Sequence, residues 1–374
     1  MSKRGLFCGS FDPFTYGHLD VVNKALEKVD ELIINVGYNE AKIQEFSSEK
    51  RVEMIIKALK CHPRRHKIIV VSEHGMTIDI ALLYDVNVLI RGVRQGSDDV
   101  AQEQTLAAIN KNLALSRGLE LETEFIIQDG EMLKSISSSA VKFLCENHEF
   151  ITAFKYVPAN VAEVLAETYL KPLWDEVCVN NSAKSNAFWQ ELVSAYKGRA
   201  YHNLTHIAYM MNMLKIYSAY TKKTFDDIRK ELLLAILIHD IVYEPGAFYE
   251  DNEKASAQFV DKIRKVLPYD INVDLVKNMV LSTAINYDKG GMTIIRDLDF
   301  SILGTFDVYT WHEYCRKIRA EYSTFSDEEF YANRLEFLQK LATKQIFKTD
   351  FFFNNFEDKA KKNIKKEIEC LQKN

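Results

Sequence analysis

"GSFDPFTYGH", residues Gly9–His18, follows the apolar run "RGLFC" at 4–8 and precedes "LDVVNKALEKV" at 19–29. The first flank has strand length and the second repeats its apolar positions at helical spacing, so the ten residues between them form a strand-to-helix turn. Gly9 lets the backbone approach a ligand without a side chain in the way. Ser10 adds a hydroxyl, and Asp12 with Pro13 makes a turn. Gly17-His18-Leu19 then opens a helix whose amino end exposes unpaired N–H groups suited to phosphate. His18 stands where it can donate to a phosphate oxygen, and the segment as a whole suits a nucleotide triphosphate.

The pattern of that strand, turn and helix recurs up to about residue 150. "RGLFCG", "ELIINVGY", "KIIVVS", "VNVLIRG" and "LETEFIIQ" are apolar runs of strand length, separated by helix-like stretches such as "SSEKRVEMIIKALK". Alternation of this kind predicts βαβ units and a parallel sheet, with ligands at the carboxyl ends of the strands. Beyond "YVPANV" the strand-like runs stop, and amphipathic helical segments follow, among them "LTHIAYMMNMLKIYSAY", "DIRKELLLAILIHDIVY" and "DEEFYANRLEFLQKLA". The expected organisation is an α/β domain over residues 1–160 and an all-α domain over 165–374. The boundary is expected between 156 and 172, where Pro158 and Pro172 punctuate the pattern.

A length of 374 residues fits two domains, and 47% hydrophobic with 27% charged residues is an ordinary globular composition. The formal net charge of −5 argues against general affinity for a nucleic-acid backbone. Six scattered cysteines without a CxxC pair suggest neither a disulfide framework nor a thiolate zinc site and fit a reducing cytoplasm. No apolar run reaches a membrane span, and "MSKRGLFCGSFDP" has no signal-peptide core. A soluble, cytoplasmic protein is expected.

Two further stretches could complete an anion site. "LIRGVR" ends a predicted strand with Arg91 and Arg94, and "SISSSAVKFL" places Ser137, Ser138 and Ser139 at a predicted helix start. Read bluntly, the arginines are a solvated pair and the serines a plain N-cap. Together with "GSFDPFTYGH" and "KRV" at 50–52, these motifs resemble the phosphopantetheine adenylyltransferases over about residues 1–158. The resemblance implies a Rossmann-like nucleotidyltransferase fold and transfer of the adenylyl group of ATP, with Mg²⁺, to 4′-phosphopantetheine. It also implies assembly into homo-oligomers, hexamers in that family. By position it assigns Ser10 to both substrates and His18 to the transition state. Lys42 would hold phosphates of acceptor and donor, and Thr77 and Arg91 would contact phosphopantetheine. Phe11, Gly92, Val93, Arg94, Glu103, Leu133, Lys134, Ser135, Ile136, Ser137, Ser138 and Ser139 would surround ATP. "RQGSDDVAQEQ" departs from the family's usual run by lacking an aromatic residue and carrying one extra residue before Glu103. Cys8 stands where proline is common. Another acceptor, such as nicotinamide mononucleotide or an alcohol phosphate, is the alternative.

The helical half carries its own constellation. "YHNLTHI" sets His202 and His206 four residues apart, on one face of a predicted helix, "ILIHDIVYEPG" supplies His239 and Asp240, and "RDLDFSILG" supplies Asp297 and Asp299. A lone histidine on an apolar face is usually a core residue, but several histidines and aspartates on apolar helices are costly to bury without a metal or a charge network. Imidazole with carboxylate suits Mn²⁺, Fe²⁺, Zn²⁺ or Mg²⁺. The order H…HD…D over residues 172–374 resembles the HD-superfamily metal-dependent phosphohydrolases. That resemblance implies His206, His239, Asp240 and Asp299 as ligands, with Asp297 the rival for the last place, and His202 as a donor behind them or a general acid. Tyr243, Glu244, Asn252 and Glu253 could line a pocket, and Arg316 and Arg319 could meet a substrate phosphate or form surface salt bridges beside Glu321. A non-catalytic nucleotide-binding or oligomerising module is the alternative. "TDFFFNNF" near Phe351 reads as core closure, and the basic terminal stretch after it as a surface helix.

Overall fold

A computed structural model describes residues 2–37, 43–94, 99–128, 137–178, 182–247, 250–287 and 292–373, the side chains of Arg94 and of 99–102 excepted. The chain divides into two compact units, Met1–Leu165 and Ala166–Asn374.

In the first unit the five anticipated strands form: β1 (Arg4–Gly9), β2 (Glu31–Val36), β3 (Ile68–Val71), β4 (Val88–Arg94) and β5 (Glu122–Gln128). They make a parallel sheet in the order β3-β2-β1-β4-β5. Helices α1 (Tyr16–Ala25), α2 (Ser48–Ala58), α3 (Thr77–Leu83), α4 (Asp99–Ser116) and α5 (Ser138–Glu146) alternate with the strands. This is the Rossmann-like nucleotidyltransferase arrangement. Because both faces of such a sheet are covered, central strands read as continuous apolar runs rather than alternating ones. Leu32, Ile33, Ile34 and Val36 of β2 accordingly have at most 1% of their surface exposed. β1 pairs with β2 on one side and β4 on the other, so strand addition reverses between β1 and β4. The crevice outside the carboxyl ends of such neighbours is where open α/β sheets bind ligands. Gly9 and Arg94 end those two strands.

After a short helix α6 (Phe150–Ala153), helix α7 (Ala159–Val177) runs straight through Pro172, and the division into units falls inside it. The expectation that Pro172 interrupts the pattern is therefore wrong. An interior proline removes one helical hydrogen bond, but Leu170, Leu173 and Trp174 on either side are buried and their packing keeps the helix.

The second unit is helical: α8 (Ala183–Tyr196), α9 (Leu204–Thr221), α10 (Arg229–Ile238), α11 (Asp251–Ile263), α12 (Val273–Leu281) and α13 (Ile294–Phe300), then α14 (Val308–Glu321), α15 (Asp327–Ala342) and α16 (Asp350–Leu371). Glu231–Ile238 of α10 is buried on every side, as expected of a helix apolar all round that packs among α9, α11, α12 and α13. "FFFNNF" forms the first turns of α16, with Phe351 and Phe352 buried as expected of a stretch that closes a core. Among the described residues no helix is long and apolar enough to cross a membrane.

Candidate functional site

In the first unit the turn after β1 is held from three directions. Thr15 caps α1, and His18, three residues on, closes the capping box: Thr15 Oγ1 accepts from the His18 amide at 3.4 Å, and His18 Nδ1 accepts from the Thr15 amide at 3.0 Å. Because Nδ1 is an acceptor, the neutral ring carries its proton on Nε2. The imidazole packs edge-on to Phe11 at 5.0 Å and lies against Phe14 at 5.6 Å between centroids. Phe11 itself is fully buried at φ +49°, and a Cβ on Gly9 would stand 2.8 Å from its ring. Phe11 can therefore meet a ligand only through its main chain.

Arg51 clamps the same turn from α2. Its fully buried guanidinium donates to Phe46 O at 3.0 Å, to Gly37 O at 3.0 Å, to Ser10 O, and to Gln44 Oε1 at 2.7 Å. Burial depresses its pKa, with Asp12 and Glu49 opposing. From the other side α5 docks on the turn. Ser138 Oγ donates to Pro13 O at 2.7 Å, Lys142 Nζ to Asp12 Oδ2 at 2.8 Å, and Ser137 caps the helix through the Ala140 amide at 3.0 Å. The turn and the amino end of α5, with Ser137 to Ser139, are thus neighbours. The sequence reading missed Arg51, Asp12 and Lys142 as fasteners. The available signal was their place inside the motifs "KRV", "FDP" and "SSSAVK".

At the end of β4, Arg91 Nε lies 3.6 Å from Glu103 Oε2, joining a residue assigned to the acceptor to one assigned to ATP. Cys8 at the end of β1 sits within reach of Arg91, with Thr77 and Asn35 as hydrogen-bond partners; burial pushes its thiol up to about 11 despite that arginine. Gly92 has a packing role: a Cβ there would stand 2.7 Å from Val21 Cγ2, so its absence lets α1 lie close on β4. Val93 is buried. Lys42 and Leu133, Lys134, Ser135 and Ile136 lie outside the described residues, as does the side chain of Arg94.

In the second unit four side chains converge. His206 Nε2 stands 3.3 Å from His239 Nε2 and 3.1 Å from Asp299 Oδ1, and His239 Nε2 stands 3.0 Å from Asp240 Oδ2. One ligand atom from each of His206, His239, Asp240 and Asp299 falls within 4.8 Å of the others. His239 Nδ1 bonds to Ile236 O at 3.0 Å, which turns Nε2 toward the cluster. Burial opposes a charge on His239, but Asp240 and Asp299 raise its pKa to about 9. Burial likewise works to raise Asp240, and His239 outweighs it and holds the carboxyl below its usual range. Two imidazoles and two carboxylates facing one point form a donor set suited to a divalent cation, which would take the place of that proton. His206 Nδ1 is buried without a partner among the described residues.

Asp297 does not belong to this set. Its fully buried carboxylate accepts from the Lys348 amide at 2.8 Å and the Thr349 amide at 2.7 Å, ahead of α16, and burial raises its pKa to about 6 despite those bonds. Two residues apart on α13, Asp297 and Asp299 point to different neighbours. His202 also differs from expectation. Asn203 caps α9, so His202 precedes the helix rather than sharing a face of it with His206. It is held by Glu321 instead: His202 Nδ1 bonds Oε1 at 3.0 Å, and the Tyr201 and His202 amides donate to Oε2 at 2.6 and 3.0 Å. Burial would raise the Glu321 carboxyl, but these bonds hold it low. The His202 ring stacks on Tyr243 at 4.0 Å. Arg199 ties this loop to the His-Asp pair through Ile241 O at 2.9 Å and Asp240 O; it stands two residues before "YHNLTHI" with no distinguishing signal.

A cavity of ≈480 Å³ opens beside Asp240 and Asp299, with His202, Tyr243, Glu244, Asn252 and Glu253 in its wall. Arg316 and Arg319 are not in that wall; they pair with Glu313 and Asp327. Glu253 is raised by burial and by the nearby carboxylates of Asp240, Asp299 and Glu250.

Comparison with known proteins agrees with the geometry of the first unit. Residues 6–143 match the family model described as cytidylyltransferase-like. A phosphopantetheine adenylyltransferase of Phocaeicola vulgatus is 40% identical over 152 residues, covering 41% of this chain and 94% of that protein. One from Bacteroides fragilis is 40% identical over the same length, covering 95% of the relative. The solved Plasmodium falciparum nicotinic acid mononucleotide adenylyltransferase complexed with NaAD aligns with 45% of this chain and 98% of its own, at 16% identity and a TM-score of 0.34. Through its amino-terminal unit, the chain belongs to the phosphopantetheine adenylyltransferase family of nucleotidyltransferases.

Proposed function

We propose that the first unit transfers the adenylyl group of ATP to 4′-phosphopantetheine, giving dephospho-CoA and pyrophosphate. The observation that carries this reading is the turn Gly9–His18, pinned by Arg51 and α5 with the His18 imidazole held at the amino end of α1. Attack by the acceptor phosphate on the α-phosphorus gathers negative charge, and fixed donors aimed at that charge supply most of the acceleration. Ser10, His18, Lys42 and Arg94 with the serines of α5 are read as donors toward ATP, and Thr77 and Arg91 as contacts to the acceptor. Among the described residues this unit holds no cluster of metal-ligating side chains, so Mg²⁺ is read as arriving on the ATP phosphates. Leu106, Ile109 and Leu115 of α4 are exposed apolar residues, which supports a homo-oligomer. The formal net charge of −5 and six free cysteines support a cytoplasmic enzyme that does not act on nucleic acid. Assaying the full chain with ATP and either phosphopantetheine or nicotinamide mononucleotide tests the reading; turnover of the latter alone overturns it.

The cluster of His206, His239, Asp240 and Asp299 favours a second activity, hydrolysis of a phosphate ester in an HD-type unit over residues 165–374. These four would hold a divalent cation, which when bound activates water and polarises a phosphoryl oxygen. His202, kept in orientation by Glu321, would give a proton to the departing oxygen. Metal analysis of the full chain and of His239→Ala, with phosphate release measured in parallel, tests this; no metal in either protein overturns it and favours a binding module.

A further inference from the structure

We infer that the cavity beside the His-Asp cluster takes a single phosphoryl group carried on a flat aromatic body, and excludes di- and triphosphates. This rests on the hydrolytic reading of the second unit. Six carboxylates stand in the cavity wall, Asp240, Glu244, Glu250, Glu253, Asp299 and Glu336. The single guanidinium among the described wall residues, Arg334, is already neutralised: its Nε bonds Glu367 at 2.8 Å and its Nη2 the Tyr314 hydroxyl at 3.2 Å. Polyphosphate sites are lined by Lys, Arg or a phosphate-cradling loop, and apart from the paired Arg334 no Lys or Arg stands in the wall among the described residues. Among the described wall residues the cation centre is therefore the one place where negative charge is met, and it suffices for one phosphoryl group; a second or third would lie among carboxylates.

The wall is also rich in aromatic rings, among them Tyr243, Tyr322, Phe325 and Phe330. The Tyr243 ring lies over His202 at 26°, its hydroxyl 3.2 Å from that of Tyr322, and the Tyr322 ring contacts Phe325 and Phe330 at 5.8 and 5.7 Å. Such planes favour a stacked ring over an aliphatic chain. A volume of ≈480 Å³ lies within the range of sites for ligands of this size. In the step itself, the bond from phosphorus to the ester oxygen breaks and one from phosphorus to a water oxygen forms. One water proton ends on the departing oxygen, giving inorganic phosphate and a free hydroxyl compound.

The test uses the full chain with Mn²⁺ and uridine nucleotides, since adenine would also engage the adenylyl site. Phosphate or pyrophosphate release is measured for uridine mono-, di- and triphosphate and for glycerol phosphate, with His239→Ala as the blank. The monophosphate is expected to exceed each of the others in kcat/KM by about tenfold, equivalent to about 1.4 kcal/mol. Calorimetric titration with a non-hydrolysable phosphonate of the monophosphate should show binding about tenfold tighter than that of a non-hydrolysable triphosphate, and Tyr243→Ala should weaken the former about fivefold. Glu244→Lys with Glu336→Lys, both on exposed positions, should shrink the gap between mono- and triphosphate about threefold or more. Equal or better use of the di- or triphosphate, or of glycerol phosphate, overturns the inference and leaves the hydrolytic reading standing. Bound metal with no release from any ester, or no bound metal at all, sinks both.

Discussion

Asp297 and Asp299 show how far two neighbouring side chains of one type can diverge. Asp299 faces two imidazoles, whereas Asp297 serves as the acceptor for backbone amides that start α16. Asp299→Asn is expected to abolish metal retention, read by elemental analysis of the dialysed protein. Asp297→Asn should retain the metal but lower stability by about 1–3 kcal/mol, since buried amides lose a charged acceptor; thermal unfolding would reveal it. His18 is the counterpart in the first unit. Replacing it with alanine removes a fixed donor, so the rate of pyrophosphate formation should fall on the order of 10²-fold or more, while loss of its capping-box bond to the Thr15 amide should lower stability by about 1 kcal/mol.

At the level of elements, the contacts that aim the site are made by residues that never touch a ligand. Gly92 brings α1 onto β4, and Arg51 binds the carbonyls of three separate segments. Gly92→Ala should push α1, and His18 with it, away from the sheet at a cost of about 1–3 kcal/mol, raising KM for ATP more than a surface substitution on α1 would. Arg51→Met should leave the Ser10, Gly37 and Phe46 carbonyls without this donor, at about 1–3 kcal/mol for each one left unsatisfied. A Met variant with unchanged unfolding temperature and KM would refute the clamp. The strands were readable because a parallel sheet covered on both faces demands unbroken apolar runs. Helix starts were less so. Asn203 takes the cap of α9 and leaves His202 outside it, a choice made by one side-chain bond that spacing does not encode.

For the whole molecule, two cores with separate polar clusters predict separable chemistry. His18→Ala should leave metal content and phosphate release within about twofold of the parent, and His239→Ala should do the same for adenylyl transfer, as expected of sites that share no partners. Loss of both activities in either variant would show coupling.

Composition and periodicity were sufficient for the α/β half and the helical half, because burial imposes repeats on the chain, whereas the motifs of both clusters were legible through their resemblance to known families. Pro172 misled for the opposite reason: a local breaker was overruled by apolar contacts on both its flanks. Which aspartate meets the histidines, which arginine is a clamp and which glycine is a packing gap depend on distances between residues far apart in the chain. Those distances come into being only when helices and strands pack, and no linear spacing carries them.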